Sequence, residues 1–169
     1  MNKKIITLVS AAALAVAVPA ASANASILID IYGGVTAGMG ASSIGGNTHS
    51  SQNFGVVFGM DVPLFRIEAE YNFLTLNAFN AHVGMINAYV KAPIPIITPY
   101  IGGGMGTVFG GSDDVRSGPA FQGMIGLQMD AQFLPILFDV EARVMRINEI
   151  VPGHGMTDFA IRTKLRYRF

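Results

Sequence analysis

The chain has 169 residues, 51% hydrophobic and 13% charged, with eleven basic residues against eleven acidic, 20 Gly, 9 Met, no Cys and no Trp. That is one domain's worth of chain, too apolar and too weakly charged for disorder, and a net charge of zero argues against nucleic-acid binding through phosphate neutralisation. Without Cys there is no disulfide framework, thiolate metal site or cysteine nucleophile, which leaves the question of whether the apolar surface packs a soluble core or faces lipid.

Lys3 and Lys4 precede an uncharged run from Ile5 to Val18, then Pro19 and small residues ending Ala23-Asn24-Ala25. This pattern is expected of a secretory signal peptide over residues 1–25, with Ala21-Ser22-Ala23 a second cleavage site, and its apolar run is short for a membrane-spanning helix. Cleavage before Ser26 leaves a domain over 26–169, 144 residues with nine basic and eleven acidic groups, and no Cys follows to carry a lipid anchor.

Two stretches of this domain are long and uncharged, Tyr71 to Val90 and Ala92 to Ser112. Neither reads as a spanning helix. The first holds Asn72, Asn77, Asn80, His82 and Asn87; the second holds three Pro and six Gly, and a Pro inside a helix costs about 3 kcal/mol relative to Ala, a Gly about 1. A closed β-barrel is the other structure that satisfies every backbone group in a bilayer.

Period two then appears along the chain. Odd positions from Ile27 to Met39 are apolar or small while even ones carry Asp30, Tyr32 and Thr36; a Gly/Ser/Asn-rich stretch, 40–53, reads as a loop. Phe54 to Val62 sets Phe54, Val56, Phe58, Met60 and Val62 against Gly55, Gly59 and Asp61, and Pro63 marks a turn. Leu64 to Leu74 alternates Phe65, Ile67, Ala69, Tyr71 and Phe73 with Arg66, Glu68, Glu70 and Asn72. Ala81 to Lys91 is a fourth strand of open facing, with Asn87 and Lys91 favouring Val83, Met85, Asn87 and Tyr89 as the polar side.

After Pro93 and Pro95, Thr98 to Phe109 alternates Ile101, Met105 and Phe109 with Gly102, Gly104 and Gly106, and 110–118 reads as a polar loop. Phe121, Ile125, Leu127 and Met129 oppose Gln122, Met124, Gly126 and Gln128; Phe138, Val140, Ala142 and Val144 oppose Asp139, Glu141 and Arg143. A loop over 147–157 leads to Phe159, Ile161, Leu165, Tyr167 and Phe169, opposed by Arg162, Lys164, Arg166 and Arg168. Eight spanning strands of about 9–11 residues take roughly 80 residues and leave room for seven connections, whereas a sixteen-stranded porin does not fit. The fold class is therefore all-β, an eight-stranded antiparallel up-and-down transmembrane barrel.

Charge decides which face is inside. Asp30, Asp61, Glu68, Glu70, Asp139 and Glu141 lie opposite the apolar face with Arg66, Arg143, Arg162, Lys164, Arg166 and Arg168, six acids and six bases. A closed lumen demands matched signs because an unpaired buried charge costs several kcal/mol, and an eight-stranded barrel is just wide enough for side chains to fill. A soluble barrel with a salt-bridged surface is the competing reading. Aromatic placement argues against it: with the N-terminus on the periplasmic side, Phe54, Phe73, Phe109, Phe121 and Phe159 fall at outer strand ends, and Phe65, Phe138, Tyr167 and Phe169 at inner ends, as two interfacial girdles. Short or Pro-containing links lie at the inner end; of the outer ones only 74–80 is short. Arg146 is discordant, on the apolar face near the outer rim, where it snorkels.

The terminal pattern Ile161, Leu165, Tyr167 and Phe169 resembles the closing strand by which the outer-membrane assembly machinery recognises its clients. Thr98-Pro-Tyr-Ile-Gly-Gly-Gly-Met-Gly, Asn87-Ala88-Tyr89 and Phe121-Gln122-Gly123-Met124-Ile125-Gly126 resemble the small opacity-type and OmpA-like surface barrels of Gram-negative bacteria, barrel domain only, since the sequence ends at Phe169 without a peptidoglycan-binding domain. The resemblance implies export to the outer membrane, contact with lipid and lipopolysaccharide, and roles in envelope integrity, surface antigenicity or adhesion to a host or surface ligand through 40–53, 110–118 and 147–157.

Chemistry is sparse. His49, His82 and His154 are too dispersed for a metal site, and Gly102-Gly103-Gly104-Met105-Gly106 lacks the Lys-Ser/Thr of a phosphate loop, so neither metal nor cofactor is expected. Glu68, Glu70, Asp139 and Glu141 read as structural members of a charge network rather than as an acid/base pair. His49-Ser50-Ser51 has the His-x-Ser spacing of outer-membrane lipid A deacylases, but in a loop. The expected role is structural or interactive, not enzymatic; a narrow channel and a deacylase are the alternatives.

Overall fold

A computed structural model describes residues 29–169 apart from 77–78, 93, 95, 113–114 and 132–133; the expected signal peptide lies outside the described residues. Eight strands follow in order: β1 Asp30–Ile44, β2 Asn47–Asp61, β3 Phe65–Leu76, β4 Asn80–Lys91, β5 Ile97–Gly111, β6 Gly118–Asp130, β7 Ile136–Val151 and β8 His154–Arg168. Each pairs antiparallel with its sequence neighbours, and β8 returns to β1, so the sheet closes.

The register fixes the shape. A row of paired residues followed once around, from Gly33 through Phe58, Ala69, Ile86, Met105, Phe121, Arg146 and Thr157, comes back to β1 at Ser43, ten residues further along. With strands about 4.8 Å apart and about 3.3 Å per residue, that stagger tilts them by about 40° and sets the Cα wall about 8 Å from the axis. Long side chains from opposite walls therefore meet on the axis, and no open bore is left.

Sequence alternation and facing agree over most of the wall. Outward positions include Val35, Met39, Phe54, Ile67, Ile86, Ile101, Ile125 and Leu165, all exposed apolar side chains. In β4 the buried set is Ala81, Val83, Met85, Asn87, Tyr89 and Lys91, so the side favoured by Asn87 and Lys91 faces inward. Inward glycines make room for large neighbours: a Cβ on Gly126 would lie 2.5 Å from the Tyr100 ring, and one on Gly59 2.6 Å from the Tyr32 hydroxyl.

Two of the expected outer loops are instead strand. β1 and β2 stay paired through 40–53 as far as Ile44↔Asn47, joined by Gly45-Gly46 at φ +56° and +86°. Both central residues of such a tight turn need positive φ, and consecutive glycines supply it. Over 147–157, β7 and β8 continue to Val151↔His154 with Gly153 at φ +76° in the turn. At the third expected loop, β5 ends at Gly111 and β6 begins at Gly118.

A second correction concerns the lumen, expected to be polar throughout. At its outer end it is apolar: Leu74, Leu76, Ala81, Val83, Met85, Val108, Ala120, Met145, Ile147, Ile150 and Met156 form one buried cluster inside the barrel. On the outward face at the same level stand Ser43, Thr48, Ser50, Gln52, Arg146, Asn148 and Thr157. The two faces have exchanged polarity. Strands of 12 to 16 residues exceed the 9–11 that a bilayer needs, so each is long enough to hold two segments of opposite polarity.

Candidate functional site

The site is the filled interior, which the alternation builds in layers. Ten of the twelve charges expected there are buried: Asp61, Arg66, Glu68, Glu70, Asp139, Glu141, Arg143, Arg162, Lys164 and Arg166. Asp30 and Arg168 stand at the inner mouth, their side chains 44% and 28% exposed. There Arg168 bridges Asp30 and Asp130, and Lys91 pairs with Asp61.

Above the mouth, Arg66 and Arg166 bind the two oxygens of Asp139 at 3.1 and 2.7 Å. The Arg66 guanidinium lies between the rings of Tyr89 and Tyr100, 3.9 and 4.5 Å from their centroids, and that of Arg166 lies 4.6 Å from the ring of Tyr32. Glu68 then accepts from Lys164 at 2.7 Å and from the hydroxyls of Tyr32 and Tyr89 at 2.8 and 2.9 Å.

Next comes the densest layer. Arg162 joins Glu70 to Glu141, while Glu70 also accepts from Asn72 at 2.8 Å, Asn87 at 2.7 Å and Gln122 at 3.1 Å. Glu141 accepts from Tyr100 at 3.1 Å and lies 3.4 Å from Lys164. The last ion pair is Arg143 with Asp158 at 2.7 Å, to which Ser42 and Ser51 also donate. Beyond it lies the apolar cluster. At this transition Thr36 Oγ1, both side-chain amide atoms of Asn53, Asn72 Oδ1, and Nε and Nη1 of Arg143 have no protein partner, a polar composition suited to ordered water.

Lys91, Asp130 and Asp158 belong to the network although the expected set of twelve omits them. Lys91 shares its face with Asn87, Asp130 shares its face with Gln128, and Asp158 stands four residues before Arg162 with the same parity, the strand beginning at His154 rather than at Phe159.

Every carboxylate of the ladder is held by a cation, and most accept neutral donors besides. An open cavity of about 180 Å³ lies at the inner mouth, lined by Asp30, Asp61, Lys91, Gln128, Asp130 and Arg168 among others. Ser51 of the His-x-Ser stretch is fully buried in the lumen, its hydroxyl on Asp158 rather than on His49. His82 faces outward against Tyr71, Phe73 and Phe109, its Nδ1 2.7 Å from the Tyr71 hydroxyl. His154 lies beside Gly45. Among the described residues no three His, Asp or Glu side chains converge as metal ligands. The glycine run of β5 is strand, with Gly102 and Gly104 beneath Tyr89 and Asn87.

The terminal Ile161, Leu165, Tyr167 and Phe169 all point outward. Tyr167 and Phe169 meet edge to face at 5.5 Å, and Phe169 packs its ring on Gly33 while its amide donates to Ile31 across the closing seam.

Among solved structures, Neisserial surface protein A matches with a TM-score of 0.66 at 14% identity, over 82% of this chain and 97% of that one. The outer membrane enzyme PagL matches with a TM-score of 0.59 at 16% identity, over 78% of this chain and 97% of that one. At these identities what is shared is the fold, the closed eight-stranded barrel. Neither a protein-family model nor a curated protein matches the sequence.

Proposed function

We propose that the chain is an integral outer-membrane barrel with a structural and surface-interaction role, in envelope integrity, adhesion or as a surface antigen, rather than an enzyme or a diffusion channel. The observation that carries this reading is the exchange of polarity along the strands. A wall apolar outside and ionic inside suits a lipid-embedded segment; one apolar inside and polar outside suits a segment in water. A protein with both, in that order, stands in a membrane and projects from one side.

The filled lumen favours a closed barrel over the narrow channel, since the ionic ladder and the apolar cluster obstruct the axis in series. The position of Ser51 leaves the deacylase reading without its nucleophile on the lipid side. In this reading residues 1–25 direct export and are cleaved. The outward row Ile161, Leu165, Tyr167 and Phe169 engages the assembly machinery, and any host or surface ligand is met by the emergent ends of β1–β2 and β7–β8 and by 112–117.

The test is gel migration of the protein from outer-membrane fractions. A compact band without boiling that shifts on boiling is expected; identical migration in both lanes, or recovery in the soluble periplasmic fraction, refutes the reading.

A further inference from the structure

Below the outer turns, and among the described residues, one Asp, Glu, Lys or Arg side chain stands on the outward wall, that of Arg146. It is exposed, paired across the sheet with Phe121 on one side and Thr157 on the other, and its nearest polar partner is the Thr157 hydroxyl at 3.5 Å. Directly beneath lie Val144 and Phe159, exposed apolar side chains of the lipid-facing wall. The paired row continues from Thr157 to Ser43 and Thr48, all outward, so a line of hydroxyls extends from the guanidinium.

A cation on a lipid-facing wall is costly at the bilayer midplane and tolerated only near the interface. Arg146 sits at the level where the aromatic girdle ends and hydroxyl and amide side chains begin, which is headgroup depth. A guanidinium binds phosphate oxygens through a planar fork of donors, hydroxyls exchange hydrogen bonds with sugars, and Phe121, Val144 and Phe159 offer a surface to acyl chains.

We infer that Arg146, with the Thr157, Ser43 and Thr48 hydroxyls, forms an outward docking site for the phosphorylated sugar headgroup of a glycolipid in the outer leaflet. This rests on the membrane-barrel reading above, so folding is scored separately from lipid retention. An outward substitution at 146 removes no lumen contact, and Arg146→Gln keeps the heat-shifted migration of the folded barrel.

The experiment is native mass spectrometry of the folded protein in detergent with bisphosphorylated lipid A, with its dephosphorylated counterpart, and with inorganic phosphate as competitor. Arg146→Gln is expected to retain about fivefold less of the bisphosphorylated lipid, the effect of one basic group at an anionic membrane surface. It should hold the dephosphorylated lipid as the unaltered protein does, and Arg146→Lys should recover part of the loss. Equal retention by Arg146→Gln and the unaltered protein overturns the site, as does indifference of the unaltered protein to the lipid's phosphates. Displacement by millimolar inorganic phosphate assigns the site to a free anion and overturns the lipid. Loss of heat-shifted migration in the unaltered protein itself refutes the barrel reading instead.

Discussion

Glu70 is where the interior is most easily broken. Its carboxylate holds one guanidinium, that of Arg162, and three side-chain amides, those of Asn72, Asn87 and Gln122. In Glu70→Leu, Arg162 keeps Glu141 and Gln122 keeps Asn87 Oδ1, but the Asn72 and Asn87 amides lose the acceptor they share. Breaking a buried pair from one side costs about 3–5 kcal/mol, and each stranded neutral donor about 1 kcal/mol or more. Because Arg162 retains one partner, the ion-pair loss falls at the low end, about 3 kcal/mol, and with the two amides a total of about 5 kcal/mol is expected. Glu70→Leu/Arg162→Met also takes the guanidinium from Glu141, which keeps Lys164 and Tyr100, so the double variant should cost less than the sum of the singles without returning to the unaltered stability. The assay is urea titration in detergent micelles, following the fraction that migrates as folded barrel on an unboiled gel. A midpoint for Glu70→Leu equal to that of the unaltered protein, or a double variant weaker than the sum of the singles, would show the carboxylate to be water-screened and the interior not packed as described.

Three further outcomes follow from the same packing. Gly126→Ala directs a methyl group at the Tyr100 ring and the Val140 carbonyl and should cost about 1–3 kcal/mol, whereas outward Gly123→Ala, 3.7 Å from Val144 Cγ1, should be neutral in the same titration. Ile147→Asp buries a carboxylate in the apolar cluster and should abolish the compact band, while its outward neighbour in Asn148→Asp should leave it unchanged. In planar bilayers the unaltered protein should show no stepwise conductance. Met145→Ala should also show none, since the ionic layers beneath it remain closed; steps in either would refute the obstruction in series.

The strand count and most facings were readable in the sequence because charge and apolarity alternate cleanly from Arg66 to Phe73 and from Phe138 to Val144. What misled was composition. Residues 40–53 read as loop from their Gly, Ser and Asn, yet the parity runs unbroken, with Gly40, Ser42 and Ile44 inward and Ala41 and Ser43 outward; small residues suit the wall there because β8 crosses it closely, and a Cβ on Gly40 would meet the Phe159–Ala160 backbone. The apolar outer lumen is hidden from the rule that apolar side chains face outward along a whole strand. β7 carries the signal against that rule: Arg143 inward and Val144 outward are followed by Met145 inward and Arg146 outward. The discordant Arg146 was the visible mark of the exchange. The partners of Asp158, contributed by β1, β2 and β7, depend on barrel closure, which no local pattern encodes.

The tight turns at the outer end have a consequence for biogenesis. Whichever tip reaches the far side must first cross hydrocarbon, where each charge adds a barrier of about 2.5–3.5 kcal/mol at the centre. Gly45-Gly46 and Pro152-Gly153 carry no charge, whereas Asp113, Asp114 and Arg116 are gathered between β5 and β6. On charge alone the segment between β5 and β6 therefore meets a higher barrier than the β1–β2 tip, which carries no charge, with the β7–β8 tip and its Glu149 between them.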